Sequence, residues 1–174
     1  MRYTGSMLSQ RHLPNGRLIP LAILAASAGA LGTAYVAEVV FGLEPCILCL
    51  YQRVPYAVTG VLAVLALSAR PGTVQAATVG VCAVVFAAGA AVAFYHVGVE
   101  QHWWASAACG GELATDLSPA DMIAQLSRPQ PKTCDEVDWT LFGLSIATYN
   151  VFASLALAGA ALAGARMLIK AKTA

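Results

Sequence analysis

Four long apolar stretches constrain the fold of this chain more than any other feature of its sequence. They cover residues 18–43, 46–69, 74–99 and 141–165. A helix rises about 1.5 Å per residue, so about 20 apolar residues cross a hydrocarbon core about 30 Å thick. Of 174 residues, 59% are hydrophobic and 11% are charged, whereas roughly a quarter of an ordinary soluble domain is charged. The sequence therefore predicts an all-α membrane protein, a four-transmembrane-helix bundle that forms one integral membrane domain over residues 1–174.

Two short breaks and one long polar segment separate these stretches. The breaks at 43–45 and 70–73 contain Pro or Gly, which favour the end of a helix, and the polar segment covers 100–140. Within that segment, Ser118 is a suitable N-cap and is followed by Pro119 at the first helical position. The loop between the third and fourth helices is therefore expected to carry a short amphipathic helix, which either lies on the membrane surface or packs as an ordinary loop helix.

The basic residues are distributed unevenly between the two sides of this predicted bundle. An even number of spans places both termini on one side, and seven of the ten basic residues fall on that side: Arg2, Arg11, Arg17, Arg70, Arg166, Lys170 and Lys172. By the positive-inside rule, both termini are expected in the cytoplasm. The first stretch is longer than the 7–15 residues of a signal-peptide core and no clear A-x-A site follows its end, which favours a retained helix.

The five cysteines are sorted by this topology. Cys46 and Cys49 form a C-x-x-C at the outer start of the second stretch, and Cys109 and Cys134 lie in the outer loop. In an oxidising compartment these four are expected to pair, and of three possible connectivities the spacing favours Cys46 with Cys49 and Cys109 with Cys134. Cys82 lies in the middle of the third stretch and is expected to be a buried, unreactive residue.

The C-x-x-C favours thiol–disulfide exchange over metal binding. Zinc prefers four ligands, and only His96 and His102 lie on the outer side, with no recognisable zinc-site spacing, so no metal is expected. Pro45 suits the first position of a helix and would place Cys46 at its positive end, where a thiolate is stabilised. Cys46 is therefore expected to be a good nucleophile or leaving group.

Arg53 follows Cys49 by four residues, so it lies on the same helical face one turn deeper in the membrane. A charged residue at that depth is by default a functional candidate, and a cation there is suited to a lipid-soluble electron acceptor with polar carbonyls. Two structural alternatives remain open: Arg53 extends to the interface, or Glu38 or Glu44 neutralises it. Pro55 is expected to kink or loosen the helix nearby.

The segment 45–56, PCILCLYQRVPY, resembles the signature of the disulfide bond formation protein B (DsbB) family. The specific part is C-x-L-C-x-x-Q-R at the outer start of a second span, together with two loop cysteines. Segments 95–104 and 134–145 also resemble this family, and the resemblance extends from about Leu18 to the end. It implies a quinone-dependent protein-disulfide oxidoreductase in the bacterial inner membrane.

The resemblance also implies a route for the electrons. A periplasmic thioredoxin-fold dithiol oxidase (DsbA-like) would attack Cys109 and release Cys134, and Cys134 would then attack Cys46 and free Cys49. Cys49 would pass the electrons to ubiquinone or menaquinone.

Two further residues are implied to bind the quinone. Arg53 would stabilise the Cys49 thiolate and the negative charge that develops on a quinone oxygen. His96 would hydrogen-bond a quinone carbonyl, although an interfacial histidine packed on Tyr95 explains its position equally well.

Two other functions remain open for this sequence. One is an enzyme like vitamin K epoxide reductase, which also couples cysteines to a quinone, but its C-x-x-C follows the loop cysteines whereas here it precedes them. The other is a non-catalytic membrane protein that is stapled by its loop disulfide or handles metals. A net charge of +1 indicates no nucleic-acid partner.

Overall fold

The computed structural model describes residues 15–70, 72–106, 109, 118, 132–137 and 139–173. The elements in chain order are α1 (Asn15–Val39), α2 (Ile47–Ser68), α3 (Thr73–Glu100), β1 (Thr140–Leu141), β2 (Leu144–Ser145) and α4 (Ile146–Thr173). The predicted amphipathic loop helix falls almost entirely outside the described residues.

Each of the four helices contains an apolar segment long enough to cross a membrane, of 24, 22, 28 and 26 residues. Large apolar side chains such as Val61, Val84 and Phe152 point away from the bundle, as lipid-facing residues do. These observations confirm the predicted all-α, four-helix membrane architecture.

The start of the fourth helix is not where the hydrophobic run begins. The sequence placed it at Leu141, but residues 140–145 form a small antiparallel hairpin and α4 begins at Ile146. Phe142 and Gly143 occupy the turn with φ angles of 51° and 78°, a left-handed conformation that a helix does not allow. The predicted start was therefore wrong, because the apolar run continues through a turn that hydropathy does not detect. The helix also extends to Thr173, beyond the predicted end at 165.

The core of the bundle is built around α3, which packs between α2 and α4, while α1 packs mainly on α2. Val79, Cys82 and Phe86 on α3 are fully buried. Further along the same helix, Gly89 faces Pro55, and a Cβ at Gly89 would lie 3.0 Å from the proline ring. The small residue thus allows α3 to approach α2 at a proline that α2 accommodates without ending.

After α3 the chain folds back on the helix that it has just left. His102 adopts a φ of 58°, and Trp104 donates a hydrogen bond from Nε1 to the carbonyl oxygen of Tyr95 at 3.0 Å. The Trp104 ring stacks on the Tyr95 ring and lies directly over Gly98, where any side chain would collide with it. This turn marks the cysteine end of the bundle, where α3 ends and α2 and α4 begin.

Candidate active site

Cys46 caps the N-terminus of α2. Its backbone is extended (φ −71°, ψ 170°), and its sulfur accepts a hydrogen bond from the backbone N–H of Cys49 at 3.3 Å. Pro45, expected at the first helical position, instead precedes the cap, which is Cys46 itself. The sulfur therefore satisfies one of the free N–H groups of the helix start and lies at the positive end of the helix dipole.

The sulfurs of Cys46 and Cys49 are 2.8 Å apart and not bonded to each other, so the structure shows two free thiols where the spacing favoured a disulfide. The hydrogen bond from the Cys49 thiol is the main reason why the pKa of Cys46 falls to about 4, and a hydrogen bond from buried His96 adds to it against the opposing effect of burial. Cys46 is therefore a thiolate at neutral pH. Because this stabilises the reduced pair, it makes a Cys46–Cys49 disulfide a stronger oxidant.

The second cysteine pair adjoins the first. Cys109 and Cys134 form a disulfide with Cα atoms 5.4 Å apart, the pairing that the sequence favoured. Cys134 is 1% exposed and packs in one cluster with Cys46, while Cys109 is only half-buried. The accessible sulfur is thus Cys109, and the buried one faces the C-x-x-C.

His96 has protein partners at both ring nitrogens. Nε2 lies 3.6 Å from the Cys46 sulfur and 3.9 Å from Oε1 of Glu100, while Nδ1 lies 2.6 Å from Nε2 of Gln52. The side chain is buried among these partners. Its implied contact with a quinone carbonyl stays a prediction.

A line of buried polar groups continues from Gln52 to α4. The Oε1 atom of Gln52 accepts from Nδ2 of Asn150 at 2.5 Å, and the Tyr56 hydroxyl donates to Oδ1 of Asn150 at 2.6 Å. The Ser154 hydroxyl lies 3.1 Å from that of Tyr56. Sequence reasoning missed this network, although one signal was available: Asn150 is the only amide in the last apolar stretch.

Glu100 is a second residue that sequence reasoning missed. This carboxyl group at the end of α3 is 9% exposed and accepts a hydrogen bond from the Ser145 hydroxyl at 2.5 Å. The backbone N–H of Thr148 in turn donates to the Ser145 oxygen, so the acid is connected to the first turn of α4. Its position four residues after His96, on the same helical face, was the signal in the sequence.

Arg53 is held by two residues of α1. Its Nη1 atom lies 2.7 Å from Oε2 of Glu38, and its guanidinium carbon lies 5.0 Å from the centre of the Tyr35 ring. The open alternative that Glu38 pairs with Arg53 therefore agrees with the structure. A guanidinium has five N–H donors, so this contact still leaves donors for a ligand.

The remaining candidates do not join this site. Cys82 is fully buried among apolar side chains of the core. His102 is exposed, with Nε2 3.8 Å from Oδ2 of Asp135. Among the described residues, one group of three potential metal ligands lies close together: the Sγ atoms of Cys46 and Cys49 and a ring nitrogen of His96, all within 4.8 Å of one another. A structural zinc site has four ligands, so this group is one short.

Comparison with known proteins gives a consistent answer. The model of the family "Disulfide bond formation protein DsbB" matches residues 16–164. Disulfide bond formation protein B of Methylobacillus flagellatus is 31% identical over 76% of this chain and 82% of its own length. The protein of that name from Aromatoleum aromaticum is 32% identical over 78% and 83%, and that from Marinobacter nauticus is 34% identical over 74% and 79%. No solved structure matches the chain at a significant level.

Proposed function

The chain belongs to the DsbB family, and we propose that it reoxidises a periplasmic thioredoxin-fold dithiol oxidase (DsbA-like) and passes the electrons to a membrane quinone. As a family member it is a multi-pass membrane thiol oxidoreductase. The observation that carries the finer proposal is the contact between the two cysteine pairs, with half-buried Cys109 outside and the thiolate of Cys46 inside. Its site lies in the bacterial inner membrane with both termini in the cytoplasm.

The first step is attack of a partner thiolate on Cys109. This breaks the Cys109–Cys134 bond, forms a mixed disulfide and releases Cys134 as a thiolate. Cys134 then attacks Cys46 of an oxidised Cys46–Cys49 pair and frees Cys49. Because Cys134 is buried against Cys46, this exchange needs no second protein, and external thiols are kept away from it.

The remaining exchanges return both pairs to their starting bonds. The second thiol of the partner releases Cys109, and Cys109 attacks Cys134, with Cys46 leaving as the stabilised thiolate. A bound quinone would supply the oxidising power: closing the Cys46–Cys49 disulfide from a thiolate and a thiol releases two electrons and the one proton of Cys49, and the second proton of the quinol would come from solvent. Overall, one partner dithiol becomes a disulfide for each quinone reduced.

The residues around Arg53 fit such a quinone. Arg53 lies one turn deeper than Cys49 and is 16% exposed, and the neighbouring Tyr35 and Val54 side chains are apolar and exposed. A guanidinium with free donors beside apolar surface suits a ring with two carbonyl oxygens. A DsbA-like partner at roughly −120 mV also requires an oxidant of quinone strength, since glutathione would be too weak.

The test is oxidation of a reduced DsbA-like protein by the purified chain in detergent, with ubiquinone and menaquinone analogues as separate acceptors. We expect one partner disulfide per quinol. Cys109→Ser is the matched variant: it should stop partner oxidation and leave a single turnover of quinone reduction by Cys46 and Cys49. Two results would instead support a non-catalytic protein whose loop disulfide is only structural. One is no quinone reduction by the intact protein, and the other is an unchanged redox state of Cys46 and Cys49 when partner is added.

A further inference from the structure

The buried hydrogen bonds beside Cys46 have a direction, and that direction determines where His96 carries its proton. The line starts at the Tyr56 hydroxyl, which donates to Oδ1 of Asn150 at 2.6 Å. The amide nitrogen of Asn150 is then left to donate to Oε1 of Gln52 at 2.5 Å. The nitrogen of Gln52 consequently faces Nδ1 of His96, at 2.6 Å. Since an amide nitrogen only donates, Nδ1 must be the acceptor, without a proton.

The groups on the other side of the ring require the same assignment. Nε2 faces the Cys46 sulfur at 3.6 Å and the Glu100 carboxylate at 3.9 Å. A thiolate and a carboxylate both accept hydrogen bonds, so a bare nitrogen between them would be repelled. The second oxygen of Glu100 accepts a hydrogen bond from the Ser145 hydroxyl, which leaves Oε1 facing the ring.

We propose that the Gln52–Asn150 amide pair is a positioning device that holds His96 as the neutral ring with its proton on Nε2, aimed at Cys46. His96 then donates to this sulfur without taking up a further proton. The titratable side chains that face the ring among the described residues are Cys46, Cys49 and Glu100. The backbone of Cys134 also contacts the ring, and α4 contributes the uncharged Asn150 and Ser145 nearby.

The consequence of this His96 tautomer for turnover rests on the proposed function. When Cys109 attacks Cys134, Cys46 must leave as a thiolate, and a fixed N–H donor lowers the barrier to that departure. A ring with its proton on Nδ1 would present a lone pair to the leaving thiolate instead. Gln52 and Asn150 thus act on the sulfur through His96, without touching it.

The position of the proton is measured by ¹⁵N NMR of histidine in the reduced protein at pH 7, without partner or quinone. His12→Gln and His102→Gln leave His96 as the single histidine of the chain. We expect the nitrogen shifts of a neutral ring protonated at Nε2. A proton on Nδ1 or on both nitrogens overturns the proposal, whether or not the protein proves to reduce quinone.

Two variants test the amide pair. Asn150→Leu removes the donor that orients Gln52, so the ring should become a mixture of tautomers. Gln52→Glu has nearly the same shape but turns the donor facing Nδ1 into an acceptor, so Nδ1 should gain a proton. Ser154→Ala is the matched control, since it removes a hydroxyl from the end of the line and leaves both amides in place. Wild-type shifts in both amide variants would overturn the proposal.

The effect on Cys46 is read from the pH profile of its alkylation, followed by mass spectrometry of its peptide. In Asn150→Leu, the midpoint should rise by about one pH unit, a tenfold weaker stabilisation of the thiolate. Ser154→Ala should keep the wild-type midpoint. An unchanged midpoint in Asn150→Leu, with the NMR signature altered, would show that the His96 tautomer does not stabilise the Cys46 thiolate.

Discussion

Two buried cysteines of this molecule lie in contrasting regions. Cys46 and Cys82 are 4% and 0% exposed. Cys46 is at the start of a helix, with the Cys49 and His96 side chains as hydrogen-bond partners, whereas Cys82 is in mid-helix among the apolar side chains of Val79 and Phe86. Burial alone would make both thiols inert, so it is the polar surroundings at the cysteine end that make one of them reactive.

The same contrast applies to the other buried polar groups. In the core, Ser27 and Thr59 bond to each other at 2.9 Å, and Thr59 also donates to a carbonyl of its own helix. Such local pairs satisfy the polar atoms within a membrane bundle without connecting them to anything else. At the cysteine end, by contrast, the polar side chains join α2, α3 and α4 in one network that ends at a sulfur.

The largest expected effect separates the two cysteines directly. Cys46→Ser should abolish partner oxidation, because no disulfide can then receive electrons from Cys134. Cys82→Ala should keep full turnover and cost only stability, on the order of 1 kcal/mol for a small cavity. Quinol formation and thermal unfolding in detergent measure the two effects. A loss of turnover in a stable Cys82→Ala protein would show that Cys82 also takes part in the reaction.

A variant of Arg53 tests whether the functional site extends from the cysteines one helical turn deeper into the bundle. Arg53→Ala should lower kcat/KM for quinone by roughly 10–100-fold, as expected for the loss of one charge-assisted hydrogen bond. Attack of the partner on Cys109 should be unaffected, and trapping of the mixed disulfide measures it. Glu38→Gln is the matched control, since it removes the ion pair but keeps the guanidinium. Equal loss of both steps would indicate misfolding instead.

The pKa of Cys46 predicts a particular pH dependence. A thiol with its pKa lowered to about 4 is ionised above that pH, so reduction of the Cys46–Cys49 disulfide takes up two electrons and only one proton. The reduction potential should then fall by about 30 mV per pH unit between pH 5 and 8, and about twice as steeply below pH 4. Equilibration with a dithiol buffer of known potential measures this slope. A slope of about 59 mV throughout would mean that Cys46 is an ordinary thiol.

The smallest effect is expected at His102, which is at the cysteine end but outside the network. Its side chain is 75% exposed and its contact is with exposed Asp135. His102→Asn should leave turnover and its pH dependence unchanged, because exposed pairs contribute little. The same turnover assay from pH 5 to 8 checks this, and a changed profile would extend the functional region to the loop surface.

The fold was largely predictable from the sequence, because run length and sparse charge are sufficient to identify helices that cross a membrane. The helix ends were less predictable. The hairpin at 140–145 depends on left-handed backbone at Phe142 and Gly143, inside a run that is still apolar. A hydropathy value reflects the free energy of transferring a side chain from water to an apolar medium. It contains no information on the backbone conformation at such a turn.

The candidate site was predictable only in part. The C-x-x-C and Arg53 belong to one helix, so their spacing places them on one face. The partners of His96 come from α2 and α4, and which faces of three helices meet cannot be read from a single sequence. Gln52 is such a case, since nothing in its sequence position identifies Asn150 of α4 as its partner.

The fold-back at Trp104 has a consequence for kinetics. Because Trp104 is packed over Gly98 and hydrogen-bonded to Tyr95, the residues that follow α3 are held against this helix, whose last turn contributes Val99 to the cluster of Cys46 and Cys134. A connection whose start is held in place raises the effective concentration of one thiol at another. Gly98 thereby influences how often the Cys134 sulfur encounters Cys46, although it carries no reactive group of its own.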